Sequence, residues 1–162
     1  MDLDHGDGEH AIRHQFEELS NHNESHQTTL LGNHVNSYPP SFVPSLDSSV
    51  SRYGMIGIQN IQKHHSQSAP VEMVIVFMVL LRVPSVATDI VITLNIPVPD
   101  HVLALQGQVL NDAIMSLSPG ILLAGIPLTE TQNSLLQYLP QIQVLRDFLH
   151  GFSIKDWSLF LQ

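Results

Sequence analysis

The 162-residue chain has no cysteine, which excludes disulfides and thiolate metal sites. It is poor in cations. Arg13, Arg52, Lys63, Arg82, Arg146 and Lys155 are its six basic residues, and no two are adjacent. A nucleic-acid groove needs clustered cations to displace counterions from phosphates, so nucleic acid is not an expected partner. The fifteen acidic residues instead leave a net charge of -9, a field that favours basic partners. The N-terminus, MDLDHGDGEH, has no apolar core of a secretory signal and is too poor in Arg and Ser for a transit peptide. A Gly-rich phosphate loop, a nucleophile elbow and a nucleophile–base pair are all missing, so neither enzyme chemistry nor a cofactor is expected. Long hydrophobic runs are lacking too. The most apolar stretch, Val71 to Val98, is unbroken only from Met73 to Leu81, and Arg82, Pro84, Thr88 and Asp89 then interrupt it. A membrane helix needs about 20 apolar residues. Arg or Asp at a bilayer centre costs roughly 3 kcal/mol. No membrane insertion is expected.

What is present in that stretch is a pair of strands. Val, Ile, Phe and Thr dominate it, as pleated surfaces prefer. Ile90, Ile92, Leu94 and Ile96 share one face, and Asp89, Val91, Thr93 and Asn95 the other, which reads as a sheet buried on one side. The run from Val71 to Val83 is apolar on both faces and belongs at the centre of a sheet. PSVA between the two suits a hairpin loop. With RYGMIGIQNIQK before them, three consecutive strands form an antiparallel meander.

Helices are expected at both ends, where they would cover the sheet. In GEHAIRHQFEELSN, Ile12, Phe16 and Leu19 recur at helical spacing, with Asp7 as N-cap, Asn21 as stop, and His10 and His14 on the opposite side. In LPQIQVLRDFLHG, Pro140 suits a first turn, Ile142, Leu145, Phe148 and Leu149 form the stripe, and Gly151 is the C-cap. FSIKDWSLF reads as a terminal strand or hook. The stretch 20–51, rich in Asn, His, Ser and Pro, reads as a long flexible loop with one short strand near TTLL. HVLALQGQVLNDAIMSLSPG reads either as a helix interrupted by Gly107 or as a loop. The expected organisation is one domain over 1–162, of α/β (α+β) class with a central antiparallel sheet.

Eight of the ten histidines precede residue 66. His10 and His14, at i and i+4, are the best metal-ligating pair, with His22/His26 and His64/His65 behind them. No motif completes a ligand set, and surface histidines in a polar region are the expected reading. Asp89 and Asp156 read as turn acids bonding nearby backbone amides rather than as catalytic carboxylates. Arg82 is expected to pair with an acid on a neighbouring strand, and Trp157 to anchor a core or an interface.

At these residues the sequence resembles a known family. LLRVPSVATDIVITLNIPV is similar to the hallmark segment of the Mog-type Ran guanine nucleotide release factors. There an apolar strand ending in Leu-Arg-Leu leads through a short loop to Thr-Asp, a β-rich strand and a Pro. Here these fall on Leu81, Arg82 and Val83, then Thr88 and Asp89, then Ile90 to Ile96 and Pro97. FSIKDWSLF resembles the family's ending at Asp156, Trp157, Ser158, Leu159 and Phe160. Weaker likenesses lie in IGIQNIQK and AIRHQFEEL. The resemblance spans roughly Met1 to Pro99 and Leu139 to Phe160, and the segment 100–138 is variable in the family. The family's glycine-rich entry and a VPDxQEVF-like strand have no counterpart, so the chain is expected to be N-terminally truncated, with a sheet edge exposed or part of the core lost.

The resemblance implies a Mog/PsbP-like sandwich that binds the small GTPase Ran and releases its guanine nucleotide in nuclear import, as a monomer without catalysis of its own. It implies a nuclear and cytoplasmic location. The alternative is a scaffold of the same fold without release activity. The family's Ran-contacting acids follow an Asp/Glu-Leu-Leu-Asp/Glu pattern. Its second acid falls on Asp2, with Asp4 as a neighbour, and its first has no counterpart. Arg82, Thr88, Asp89, Asp156, Trp157 and Phe160 are the family-motif positions, with structural roles expected.

Overall fold

A computed structural model of the chain describes residues 5–23, 25–30, 35–62, 70–100, 117, 119–122 and 127–160. In chain order these form helix α1 (His5–His22) and strands β1 (Ser25–Leu30), β2 (Asn36–Tyr38), β3 (Ser51–Gln62), β4 (Val71–Val83) and β5 (Thr88–Pro97). Helices α2 (Glu130–Tyr138) and α3 (Gln141–Gly151) follow, with short 3-10 turns at Pro40–Phe42, Pro84–Val86, Pro119–Leu122 and Trp157–Phe160.

The meander is as the residue pattern predicts. All pairings are antiparallel, in the order β1-β3-β4-β5, with β2 also on β3. β1 pairs with residues 57–61 of β3 and β2 with residues 52–54, so the two lie end to end along one edge. β4 is central and its two faces feed two cores. Ile75, Phe77, Val79, Leu81 and Val83 join the larger cluster with Ile56, Ile96 and the α3 residues Ile142, Leu145 and Leu149. Val74, Val76, Met78 and Leu80 face α1 through Ile12 and Phe16. Helices thus cover both faces of one sheet, the α+β class expected of a Mog/PsbP-like fold.

The hairpin register fixes which backbone groups of β5 are paired. The Val98 N–H donates to the Met73 carbonyl at 2.9 Å, and the ladder continues through Val74↔Pro97 to Val83↔Thr88. In an antiparallel ladder, hydrogen-bonded and non-hydrogen-bonded pairs alternate. Ile96, Leu94, Ile92 and Ile90 therefore bond to β4. Asn95, Thr93, Val91 and Asp89 turn their N–H and C=O groups outward. Pro97, which has no N–H to give, falls in an outward position.

Several boundaries differ from expectation. α1 begins at His5, so Asp7 lies within the first turn rather than at the cap, and the helix runs one residue past Asn21 to His22. Gly8 lets that turn press on the sheet, because a Cβ there would come within 2.3 Å of Tyr53 Cε2 and 2.4 Å of its Cζ. Gly8→Ala is expected to destabilise by about 1–3 kcal/mol through overpacking, read as a lowered urea midpoint at constant slope. Within the stretch 20–51 the short strand expected near TTLL is present as β1, but the long loop around it is replaced in part by β2 and a packed turn. Phe42, Val43, Leu46 and Val50 are buried, and the Tyr38 and Phe42 rings stack with centroids 3.9 Å apart. Apolar residues spaced irregularly among prolines produce burial without periodicity, which hid them from a pattern reading.

The C-terminal layer is also revised. Pro140 is the N-cap of α3, Gly151 is its last helical residue, and Phe152 is the C-cap. Phe148 leaves the expected stripe and stands 48% exposed. Of the two readings of FSIKDWSLF, strand or hook, the 3-10 turn at Trp157–Phe160 excludes the strand there. The reading of HVLALQGQVLNDAIMSLSPG falls largely outside the described residues.

Candidate partner-binding site

α1 presents a charged outer face. It carries Glu9, Glu17 and Glu18 against Arg13. Arg13 is bonded to Glu9 at 2.7 Å, and His14 stands 3.9 Å from Glu18, both across one helical turn. The inner face is fixed twice. Ile12 and Phe16 are buried over β3 and β4. At the C-terminal end, Asn23 Nδ2 donates to Gln59 Oε1 at 3.0 Å, Gln59 Nε2 to Ser20 Oγ at 2.8 Å, and Ser20 Oγ to the Phe16 carbonyl at 3.0 Å. Gln59 is fully buried, and its amide is satisfied on both sides. A polar residue within an apolar strand run gives little sequence signal for that role.

The helix covers β3 and β4 but leaves β5 open. Between them runs an open groove of about 800 Å³, lined by Glu18, Leu19 and His22 of α1 and by Val91 and Thr93 of β5, with Met78 of β4 between. A second cleft of about 390 Å³ lies on the other flank of α1, toward Thr28 and Met55. The acidic helix therefore sits between two recesses that can receive side chains.

The family-motif residues fall in two places. Arg82, Thr88 and Asp89 meet at the β4–β5 hairpin. Arg82 and Asp89 are cross-strand partners, with Nε donating to Oδ1 at 2.9 Å. Asp89 thus bonds a guanidinium rather than the backbone amides expected of it. Thr88 Oγ1 donates to the Val86 carbonyl at 3.0 Å, and Ala87 adopts the left-handed conformation that closes the turn. Because this ion pair is partly open to solvent, Arg82→Gln or Asp89→Asn is expected to cost less than about 1 kcal/mol in a denaturant titration.

Asp156, Trp157 and Phe160 share the terminal turn. Asp156 Oδ1 accepts from the Ser158 hydroxyl at 2.6 Å and from its N–H at 2.9 Å, and these two bonds hold the carboxyl below its ordinary pKa. Trp157 is 37% exposed, with its ring 6.0 Å from that of Phe160, so it does not anchor the core. Asp2 and Asp4 lie outside the described residues.

Among the described residues no group of three or more His, Cys, Asp or Glu is placed to hold a metal ion, and no helix is long and apolar enough to cross a membrane. His10 and His14 are exposed on α1.

A family model described as Ran-interacting Mog1 protein matches residues 2–97, from ahead of α1 to the last residue of β5. No curated protein and no solved structure matches the chain.

Proposed function

The chain belongs to the Ran-interacting Mog1 protein family, and on that premise we propose that it binds the small GTPase Ran and promotes release of the bound guanine nucleotide in nuclear protein import. The observation that carries this reading is the family match over residues 2–97, which takes in α1 and the β3–β5 meander. The acidic outer face of α1, in a chain of net charge -9, supports a basic docking patch on the partner. Asp2 and Asp4, next to α1 in the sequence, are the proposed contact acids. Attraction of this kind raises the association rate and weakens as salt is added.

Nucleotide release needs no acid, base or cofactor from this chain. A protein that binds the nucleotide-free or loosened state of a GTPase more tightly than the loaded state shifts the population toward it. In this reading the protein acts as a single-domain monomer in nucleus and cytoplasm.

The test is release of a fluorescent guanine nucleotide from Ran, with and without the purified chain. Acceleration of at least about tenfold, worth ~1.4 kcal/mol of barrier, is the expected result. Asp2→Asn/Asp4→Asn together should reduce it and flatten its salt dependence. Binding without acceleration would mark a scaffold of the same fold, and absence of both would overturn the Ran reading.

A further inference from the structure

We propose that the outer edge of β5 accepts an extended peptide as an added strand, and that this peptide alternates apolar with basic residues. β5 ends the sheet, and no described strand pairs with its outer side. The hairpin register turns the N–H and C=O groups of Asp89, Val91, Thr93 and Asn95 outward, so four donors and four acceptors stand in a row. Proteins blunt such edges with Lys, Pro, bulges or very short strands. This strand is ten residues long, carries no Lys, and has its one proline at the far end.

Side chains on the two faces of the edge define the occupant. Ile90, Ile92 and Leu94 are only partly buried against the larger core. A strand added roughly 4.8 Å outward would extend that apolar row with every second side chain. Its other side chains would lie beside Val91 and Thr93, at the mouth of the groove that Glu18 lines. Val91 is exposed there, and Glu18, exposed at that mouth, supplies the acid. Lysine or arginine fits these positions. A second copy pairing antiparallel through its own β5 would set the acidic α1 of both chains on the same face of the joined sheet, against a net charge of -9 on each. Backbone pairing would supply affinity and the alternating side chains specificity, as in other strand additions. This surface is independent of whether Ran is the protein's partner.

The test uses a fluorescein-labelled octapeptide alternating Lys or Arg with Val or Ile, titrated with the full chain by anisotropy. Three control peptides accompany it: one with the same residues in blocks, one with glutamate for the cations, and one N-methylated at every second residue. The alternating peptide is expected to bind at least about tenfold more tightly than each control. Thr93→Pro removes an outward donor while leaving the β4 ladder intact, as proline is tolerated at an edge, and should weaken binding by a similar factor. Equal binding of the block peptide would overturn the proposal in favour of charge alone. So would undiminished binding by a folded Thr93→Pro chain, or a dimer of the chain in sedimentation that Thr93→Pro dissociates. Should Thr93→Pro fail to fold, the N-methylated peptide on the native chain decides the same question.

Discussion

Phe77→Ala should remove about 3–5 kcal/mol of stability, the cost of deleting a buried ring and leaving its cavity. Phe77 is fully buried at the middle of β4. It lies between its register partners Ile56 on β3 and Leu94 on β5, on the face covered by the C-terminal layer. Three strands and a helical layer converge there, so the site cannot collapse by shifting one neighbour. Domains of this size have only about 5–15 kcal/mol to lose. The measurement is the urea midpoint at unchanged slope, by far-UV circular dichroism. Met78→Ala, one residue on, empties the opposite face under α1 and should cost about 2–5 kcal/mol. Only that second variant should disturb the α1–β5 groove, because Met78 lines it. A loss below about 1 kcal/mol for Phe77→Ala would mean that this face is not a packed core.

The centre of the sheet was legible because its chemistry is periodic. Strand β4 is apolar at nearly every position, and β5 alternates, so the β3-β4-β5 meander and the hairpin at Pro84–Val86 follow from residue type alone. Elsewhere burial and pattern part company. α2 buries only Leu135 within the helix, with Leu139 buried at its C-cap, too few for a stripe. Its real signal was the Thr129/Gln132 capping box, in which each side chain bonds the other's backbone N–H at 3.1 Å. The candidate site was legible only in part. The acids of α1 are visible as composition, and the family resemblance, not site chemistry, points to Ran. The groove beside β5 needed the placement of α1 over β3 and β4. The outward-facing backbone needed the hydrogen-bonding phase of the ladder, which no side-chain pattern encodes.

Arg52→Met is the second large effect expected, again about 3–5 kcal/mol, and for a different reason. Arg52 is 2% exposed, and its guanidinium serves main-chain oxygens rather than a carboxylate. Nη1 donates to the Val50 carbonyl. Nη2 donates to those of Leu46 at 2.9 Å and of Val43 and Asp47 at 3.2 Å. One side chain thereby gathers the turn between β2 and β3, whose carbonyls point inward with no strand to pair with. Burial pulls the Arg52 pKa down, and the nearby Asp47 charge opposes the shift. An arginine nevertheless stays charged at neutral pH. Hydrogen bonds to a charged donor are worth roughly 1.5–3 kcal/mol each, and those sharing one donor group do not add in full. The Val43 and Asp47 carbonyls also accept from the Leu46 and Val50 N–H groups, so removing the guanidinium orphans the Leu46 and Val50 carbonyls, at about 1–3 kcal/mol for each buried acceptor left without a bond. Asp47 is exposed, and its carboxyl is held below the ordinary pKa chiefly by the Ser49 backbone N–H. Asp47→Asn should therefore leave most of the stability in place. Arg52→Lys should recover less than half of the loss, since a single ammonium cannot span acceptors on both sides of the turn. If Arg52→Lys were as stable as the native chain, charge rather than the planar fork would be holding the turn. Because this turn lies at the opposite edge of the sheet from β5, peptide affinity at the β5 edge should be unchanged in whatever fraction of Arg52→Met remains folded.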